Sequence, residues 1–158
     1  MKILTIAIAI AGATVLTTAP AVAGAAEPLQ AIYRVTGVLD SGDPANTGTA
    51  TVFFCTNFSG GRENVRVSLR PEIPGAPIND ILALDPGETR TFATHQTATY
   101  SEDSNVAPGV MFEQGSAVIS ATSLLVHCSA AHVDASAVAP VGSPLQMIRL
   151  RPAPNSQE

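Results

Sequence analysis

Three histidines and two cysteines are the residues of this chain best equipped for chemistry. His127, Cys128 and His132 fall within six positions, a grouping that suggests a metal site. On a strand, however, residues five apart point to opposite faces, so His127 and His132 cannot share one ion without a bulge. Cys128 could ligate only as a free thiol. No metal or other cofactor is expected.

Two serine–histidine–aspartate sets can be assembled on paper: Ser129, His132 and Asp134, or Ser104, His95 and Asp103. Either would suit nucleophilic hydrolysis, but the chain has no G-x-S-x-G elbow to expose a nucleophile. His95 reads better as an exposed or strand-edge histidine, and no catalytic residue is expected.

Glu102 and Asp103, with Asn105, pair carboxylates as a calcium loop or a glycosidase does. The alternating ligands, defining glycine and distal glutamate of a calcium loop are missing, so a solvated loop tip is expected. Asp40 and Asp43 read as turn residues. Arg66 and Arg70, with Arg62 beside them, lie on one strand face. They suit either an anion or acids on the next strand, and cross-strand pairing is the expected role. Tyr100, Glu102, Asp103, Arg66 and Arg70 are therefore the candidate binding residues. The loops at 40–46, 71–78 and 101–109, or an edge strand bearing the threonines at 89, 91, 97 and 99, are the candidate surfaces.

The elements that must position these residues are strands. Residues 32–39, 47–57, 64–70, 89–99, 116–121, 124–133 and 145–150 are β-prone and bounded by Gly, Pro, Asn and Asp. Residues 78–84 fit a strand or one helical turn, and the alanine-rich stretch 128–140 is the least strand-like. Val65, Val67 and Leu69 alternate with Arg66, Ser68 and Arg70, the pattern of a half-buried antiparallel strand. About seven to nine short strands predict an all-β fold, an antiparallel β-sandwich, immunoglobulin-like or related, over residues 27–151. Residues 152–158, with Pro152 and Pro154, read as a tail.

Residues 1–23 read as a secretory signal peptide. Lys2 precedes an uncharged apolar run over 3–16, and Ala21-Val22-Ala23 supplies the small-x-small pattern. Cleavage is expected after Ala23 or, nearly as well, after Ala26. The apolar run is shorter than the ~20 residues of a spanning helix, so no membrane span is expected once the leader is gone. No cysteine precedes Cys55, which argues against a lipid anchor.

Lys2 is the only lysine, so removal of the leader leaves seven basic residues, all arginine, against 13 acidic ones. Schiff-base catalysis is thereby excluded. The formal charge of −5 and the pI near 5.0 exclude a basic nucleic-acid footprint. Aromatic residues make up 4% and tryptophan is absent, which leaves little for a stacking platform. In an exported chain, the two cysteines read as one disulfide, against the alternative of two buried thiols.

Phe53-Phe54-Cys55-Thr56-Asn57, Val65-Arg66-Val67, the run 84–92 with its Leu-Asp-Pro-Gly-Glu-Thr start, and 115–123 followed by Cys128 together resemble a family of small exported bacterial proteins of unassigned function. The order of these features is also similar in architecture to the sandwich of the sensory-rhodopsin transducer-like proteins. The resemblance implies a sandwich with Cys55–Cys128 as its bridge, and it supplies no activity. The sequence thus predicts a secreted, non-enzymatic β-sandwich, periplasmic or extracellular, serving a protein or envelope partner. A small-ligand or carbohydrate-binding module is the alternative, a secreted hydrolase the third reading, and a pilin-like subunit with an open groove the fourth.

Overall fold

The alternation of residues 64–70 is used as the sequence writes it. Val65, Val67 and Leu69 are fully buried, while Arg66 and Ser68 are half-buried and Arg70 is exposed. The structure, a computed structural model, describes residues 28–42, 45–72, 74–139 and 142–150. The expected leader with both cleavage points, and the tail at 152–158, lie outside the described residues.

Ten strands follow in order: β1 (Gln30–Thr36), β2 (Thr49–Asn57), β3 (Glu63–Pro71), β4 (Ile78–Leu84), β5 (Thr89–Ala93), β6 (Ser104–Asn105), β7 (Gly115–Ala121), β8 (Val126–Asp134), β9 (Gly142–Pro144) and β10 (Met147–Arg149). They form two five-stranded sheets. The first has the order β10-β1-β7-β3-β4, the second β6-β5-β2-β8-β9. Every pairing is antiparallel except β5 with β6. The expected antiparallel β-sandwich is the fold. It has more strands than expected because β6 and β9, at two and three residues, are too short to show alternation.

Residues 78–84 take the strand of their two expected conformations. One segment departs from the sequence reading. The β-prone run 89–99 is strand only to Ala93, so Thr97 and Thr99 are not on an edge strand. From Thr94 the chain leaves β5 and folds across the outer side of the second sheet. There it buries Ala50, Val52, Ala93, Val133 and Ala135, with Phe54 and Tyr100 packed against them. Those outward-facing positions are apolar, and an uncovered sheet would expose them to water.

The main core lies between the sheets. Phe53, Phe92, Ile32, Leu69, Leu84 and Ile119 are its largest fully buried side chains. In β1 the register shifts between Ala31 and Tyr33, leaving Ile32 unpaired against β7. This bulge lets Ile32 and Tyr33 both turn inward and sends Arg34 to the outside. The sandwich closes at both sides. Ser104 Oγ donates to Asp80 Oδ2 where β6 meets β4, and the chain crosses from β9 to β10 with Leu145 N–H bonded to Ala130 O at 2.9 Å. An open groove awaiting a donor strand, as a pilin-like subunit needs, is not found among the described residues.

Cys55 and Cys128 are disulfide-bonded. They sit directly opposite each other in the β2–β8 ladder, with Cα atoms 4.2 Å apart. The bridge therefore joins neighbouring strands of one sheet. Its presence accords with an oxidising environment.

Candidate functional site

Asp85-Pro86-Gly87-Glu88 shows how the local sequence places side chains. Pro86 presets the turn, Gly87 takes the positive φ of 78° that the third position of a type II turn requires, and Glu88 N–H closes onto Asp85 O at 3.0 Å. The turn delivers β5 with Arg90 facing Asp103. Arg90 binds Asp103 at 2.6 Å and Glu88 at 2.7 Å. Thr91 N–H donates to the other Asp103 oxygen at 2.8 Å. The Asp103 carboxylate, side-by-side with Glu102 in sequence, is thus committed to β5.

Glu102 turns the other way. Its Oε1 accepts from Thr97 N–H at 3.0 Å and from the Thr97 hydroxyl. The pair does not converge, and no group of three or more His, Cys, Asp or Glu side chains among the described residues is placed to hold a metal.

Neither paper triad assembles. His95 is neither exposed nor on a strand edge: it is buried beyond the end of β5, where its Nδ1 lies 2.8 Å from Asp40 Oδ1 and its Nε2 2.9 Å from Thr47 O. Ser104 is bonded to Asp80 and Asp103 to Arg90, so neither meets His95. The loop packs hard on the imidazole. A Cβ at Gly42 would come within 1.9 Å of Thr47 O and 2.8 Å of two ring atoms, which is why glycine stands there. In the other set, Ser129 faces outward beside Phe54, while His132, one face over, reaches Gly37 O at 2.6 Å. Asp134 accepts from the Ser136 hydroxyl at 2.7 Å and its N–H at 2.9 Å, which hold its carboxyl below the usual range.

His127 stands on the outer face opposite Thr56, its ring edge-on to Phe58 at 5.4 Å. Burial, and then the charge of Arg149, push its imidazole below the ordinary value. His127 and His132 thus occupy opposite faces, as their spacing predicts.

Two regions remain that a ligand could reach. The first is a depression of about 530 Å³ on the outer side of the second sheet, lined by Gln96, Ala98, Thr99, Tyr100, Ser101, Glu102 and Asn105. A neighbouring recess of about 230 Å³ joins Gly42 and Ala45 to His95, Gln96, Asn105, Pro108 and Gly109. The loops at 40–46, whose residues 43 and 44 are not described, and at 101–109 therefore meet. The loop at 71–78 does not join them. Its Glu72 accepts from Glu113 and Gln114 N–H at 3.1 Å each, and its own backbone N–H together with these holds its carboxyl low. Tyr100 sits edge-on to Phe54 at 5.1 Å and is half-buried, whereas Phe58 is 63% exposed.

The second region is the outer face of the first sheet. Arg66 is opposite Ser120 on one side and Ile81 on the other; Arg70 is opposite Ser116. Cross-strand pairing with acids, the expected role of these arginines, is therefore not their role. Arg62 is not on that face; it precedes β3 and pairs loosely with Asp85 at 3.7 Å. Arg34 takes its place. It is opposite Val118 of β7, and Val118 is in turn opposite Ser68 of β3. Arg66 and Arg70 are about 13 Å apart along β3, and Arg34 stands about 10 Å to the side, level with Ser68.

Among the described residues, none of these three arginines has an ion-pair partner. Arg66 Nε is buried without a hydrogen bond. The five strands of this sheet carry two acids. Glu63, at the end of β3, is taken up by Ser59 and Thr122, and Asp80 by Ser104 and Ile81 N–H. Sequence reasoning missed Arg34 because only the strand order β1-β7-β3 brings it near β3.

No protein-family model, no curated protein and no solved structure matches the chain. Among the described residues, no helix is long and apolar enough to cross a membrane.

Proposed function

We propose that this chain is an exported, non-enzymatic binding module of the periplasm or extracellular medium, and that it engages its partner through the outer face of the first sheet. The observation that carries this reading is the set of three arginines, Arg34, Arg66 and Arg70, held on one outer sheet face without an ion-pair partner among the described residues. The three stand about 10–13 Å apart on β1 and β3, with β7 between, so their mutual repulsion is slight and an anionic partner can meet all three without displacing a paired acid. The separate engagement of His95, His132, Ser104, Asp103 and Asp134 supports the non-enzymatic part of the reading.

A photo-reactive side chain at Val118, between Arg34 and Ser68, tests it in the living host. Adducts should form from position 118, and R34Q/R66Q/R70Q should abolish them. The same probe at Ser129, on the opposite face, should remain unreacted. Adducts from Ser129 alone would reject the reading.

One observation favours a second reading, a small-ligand or carbohydrate site. The depression beside Tyr100 gathers Gln96, Thr99, Ser101, Glu102 and Asn105, all able to bond hydroxyl groups. A sugar that raises the unfolding temperature of wild type, but not of Glu102→Gln, would establish it.

A further inference from the structure

The arginines of the first sheet are accompanied by exposed aliphatic side chains. Ile148, 54% exposed, is directly opposite Arg34, and Ile81, 49% exposed, is directly opposite Arg66. Leu150, 40% exposed, continues the alternation of Ile148, its N–H bonded to Ile32 O. The large hydrophobic side chains that the described residues expose number six, and half of them lie on this one face. Taken across the sheet, the order is aliphatic, arginine, serine and valine, arginine, aliphatic. There is no aromatic ring among them on which a sugar could stack.

We infer that this face docks on an anionic phospholipid surface, with Arg34, Arg66 and Arg70 binding headgroup phosphates and Ile81, Ile148 and Leu150 seated at the edge of the acyl region. The inference rests on the reading of this face as the binding surface and names its partner. Three observations decide for a bilayer. The three guanidinium groups are spread about 10–13 Å apart over the outer side of β1 and β3, which suits an extended surface better than a lone ion. Guanidinium groups bind phosphate oxygens in pairs, while the exposed isoleucines gain only where an apolar phase lies beyond the charges. A second copy of the chain is a poor occupant, because a two-fold contact would press six guanidinium groups together. Arg66 Nε is already withdrawn from water, so docking dehydrates this arginine less than a fully solvated one.

Flotation of the protein recovered from the host's export fraction tests the inference. One set of vesicles holds equal parts phosphatidylcholine and phosphatidylglycerol; the other holds phosphatidylcholine alone. The protein should float only with the anionic set, and less as salt rises. Removing one arginine, as in Arg34→Gln, should weaken partitioning about five-fold, and R34Q/R66Q/R70Q about a hundredfold. Arg62→Gln, which removes the same charge elsewhere, should change it little. The pair Ile81→Ser and Ile148→Ser should weaken it about ten-fold at unchanged charge.

Equal flotation with neutral vesicles overturns the inference. So does retention on a sulfated polysaccharide resin that needs the arginines and ignores the isoleucines; in that case the face remains the binding surface and its partner is a polysaccharide. Failure with vesicles and resin alike, together with crosslinks from Val118 that persist in R34Q/R66Q/R70Q, would reject the reading of the face as well.

Discussion

The two outer faces of this sandwich start from similar strands and end in opposite surroundings. On the second sheet, Ala50, Val52 and Val133 point outward, and residues 94–102 fold back to cover them. On the first sheet, Arg34, Arg66, Ser68 and Arg70 point outward, with Arg34 and Arg70 exposed and Arg66 and Ser68 half-buried. The difference lies in the residues at alternate positions. An apolar outer row recruits a cover from its own chain, whereas Arg34 and Arg70 stay in water. The comparison teaches where each face stores its free energy: the covered face in stability, the open face in unmet charge.

The largest test addresses the frame that both faces share. The disulfide closes a sequence separation of 73 residues, so C55A/C128A should lower stability by about 4 kcal/mol by chain entropy. Urea unfolding under oxidising conditions measures it, and both faces should be lost in a single transition.

Next comes the fastening of the cover. Asp40 and His95 are 1% and 6% exposed at the side chain and lie 2.8 Å apart. Asp40→Ala removes the polar group beside a buried imidazole and the acceptor of Gly42 N–H, and should cost about 2–3 kcal/mol through the buried polar atoms it strands. Asn46 N–H to Gln96 O and Ala98 N–H to Ala135 O fasten the same segment, so hydrogen exchange should rise at residues 94–102 before it rises in β3 or β7. Uniform acceleration across both sheets would contradict the assignment.

Tyr100→Ala removes the ring that sits on Phe54. Because both rings are half-buried, the loss should be about 2 kcal/mol, below the range for a fully buried aromatic. R34Q/R66Q/R70Q sharpens the contrast. Stability should stay within about 0.5 kcal/mol per site, with a gain as acceptable as a loss, while binding collapses. A large loss of stability would mean that the arginines are structural.

The smallest effect concerns pH. The imidazole of His127 is held below its ordinary value by burial and by Arg149. Between the folded and unfolded values the unfolded chain binds more protons, so stability rises with pH through that window and is lost as pH falls. His127→Asn should flatten that slope, as thermal unfolding across mildly acidic buffers will show.

Much of the frame was legible in the residues. Val65, Val67 and Leu69 fixed a face, Pro86-Gly87 fixed a turn, and Cys55 and Cys128 shared faces with Phe53 and Val126. The cover was not legible, because Thr94, Thr97 and Thr99 favour strand on propensity alone, and only the apolar outer row of β2 and β8 shows what must lie over them. The pairing of Asp40 with His95 joins residues 55 apart with no local signal. The arginine face was half legible. Arg66 and Arg70 follow from period two, but their neighbours depend on strand order, and β3 is flanked by β4 and β7, which present Ile81, Ser116 and Ser120 where acids were expected.

The place of the disulfide has a consequence for biogenesis. Cys55 and Cys128 are partners in the ladder, and a slip of one residue between β2 and β8 would carry one thiol to the opposite face. Once β2 and β8 are paired, the bond can therefore close only in the native register. The bond thereby locks that register, and a chain paired one residue out of step would keep both thiols free.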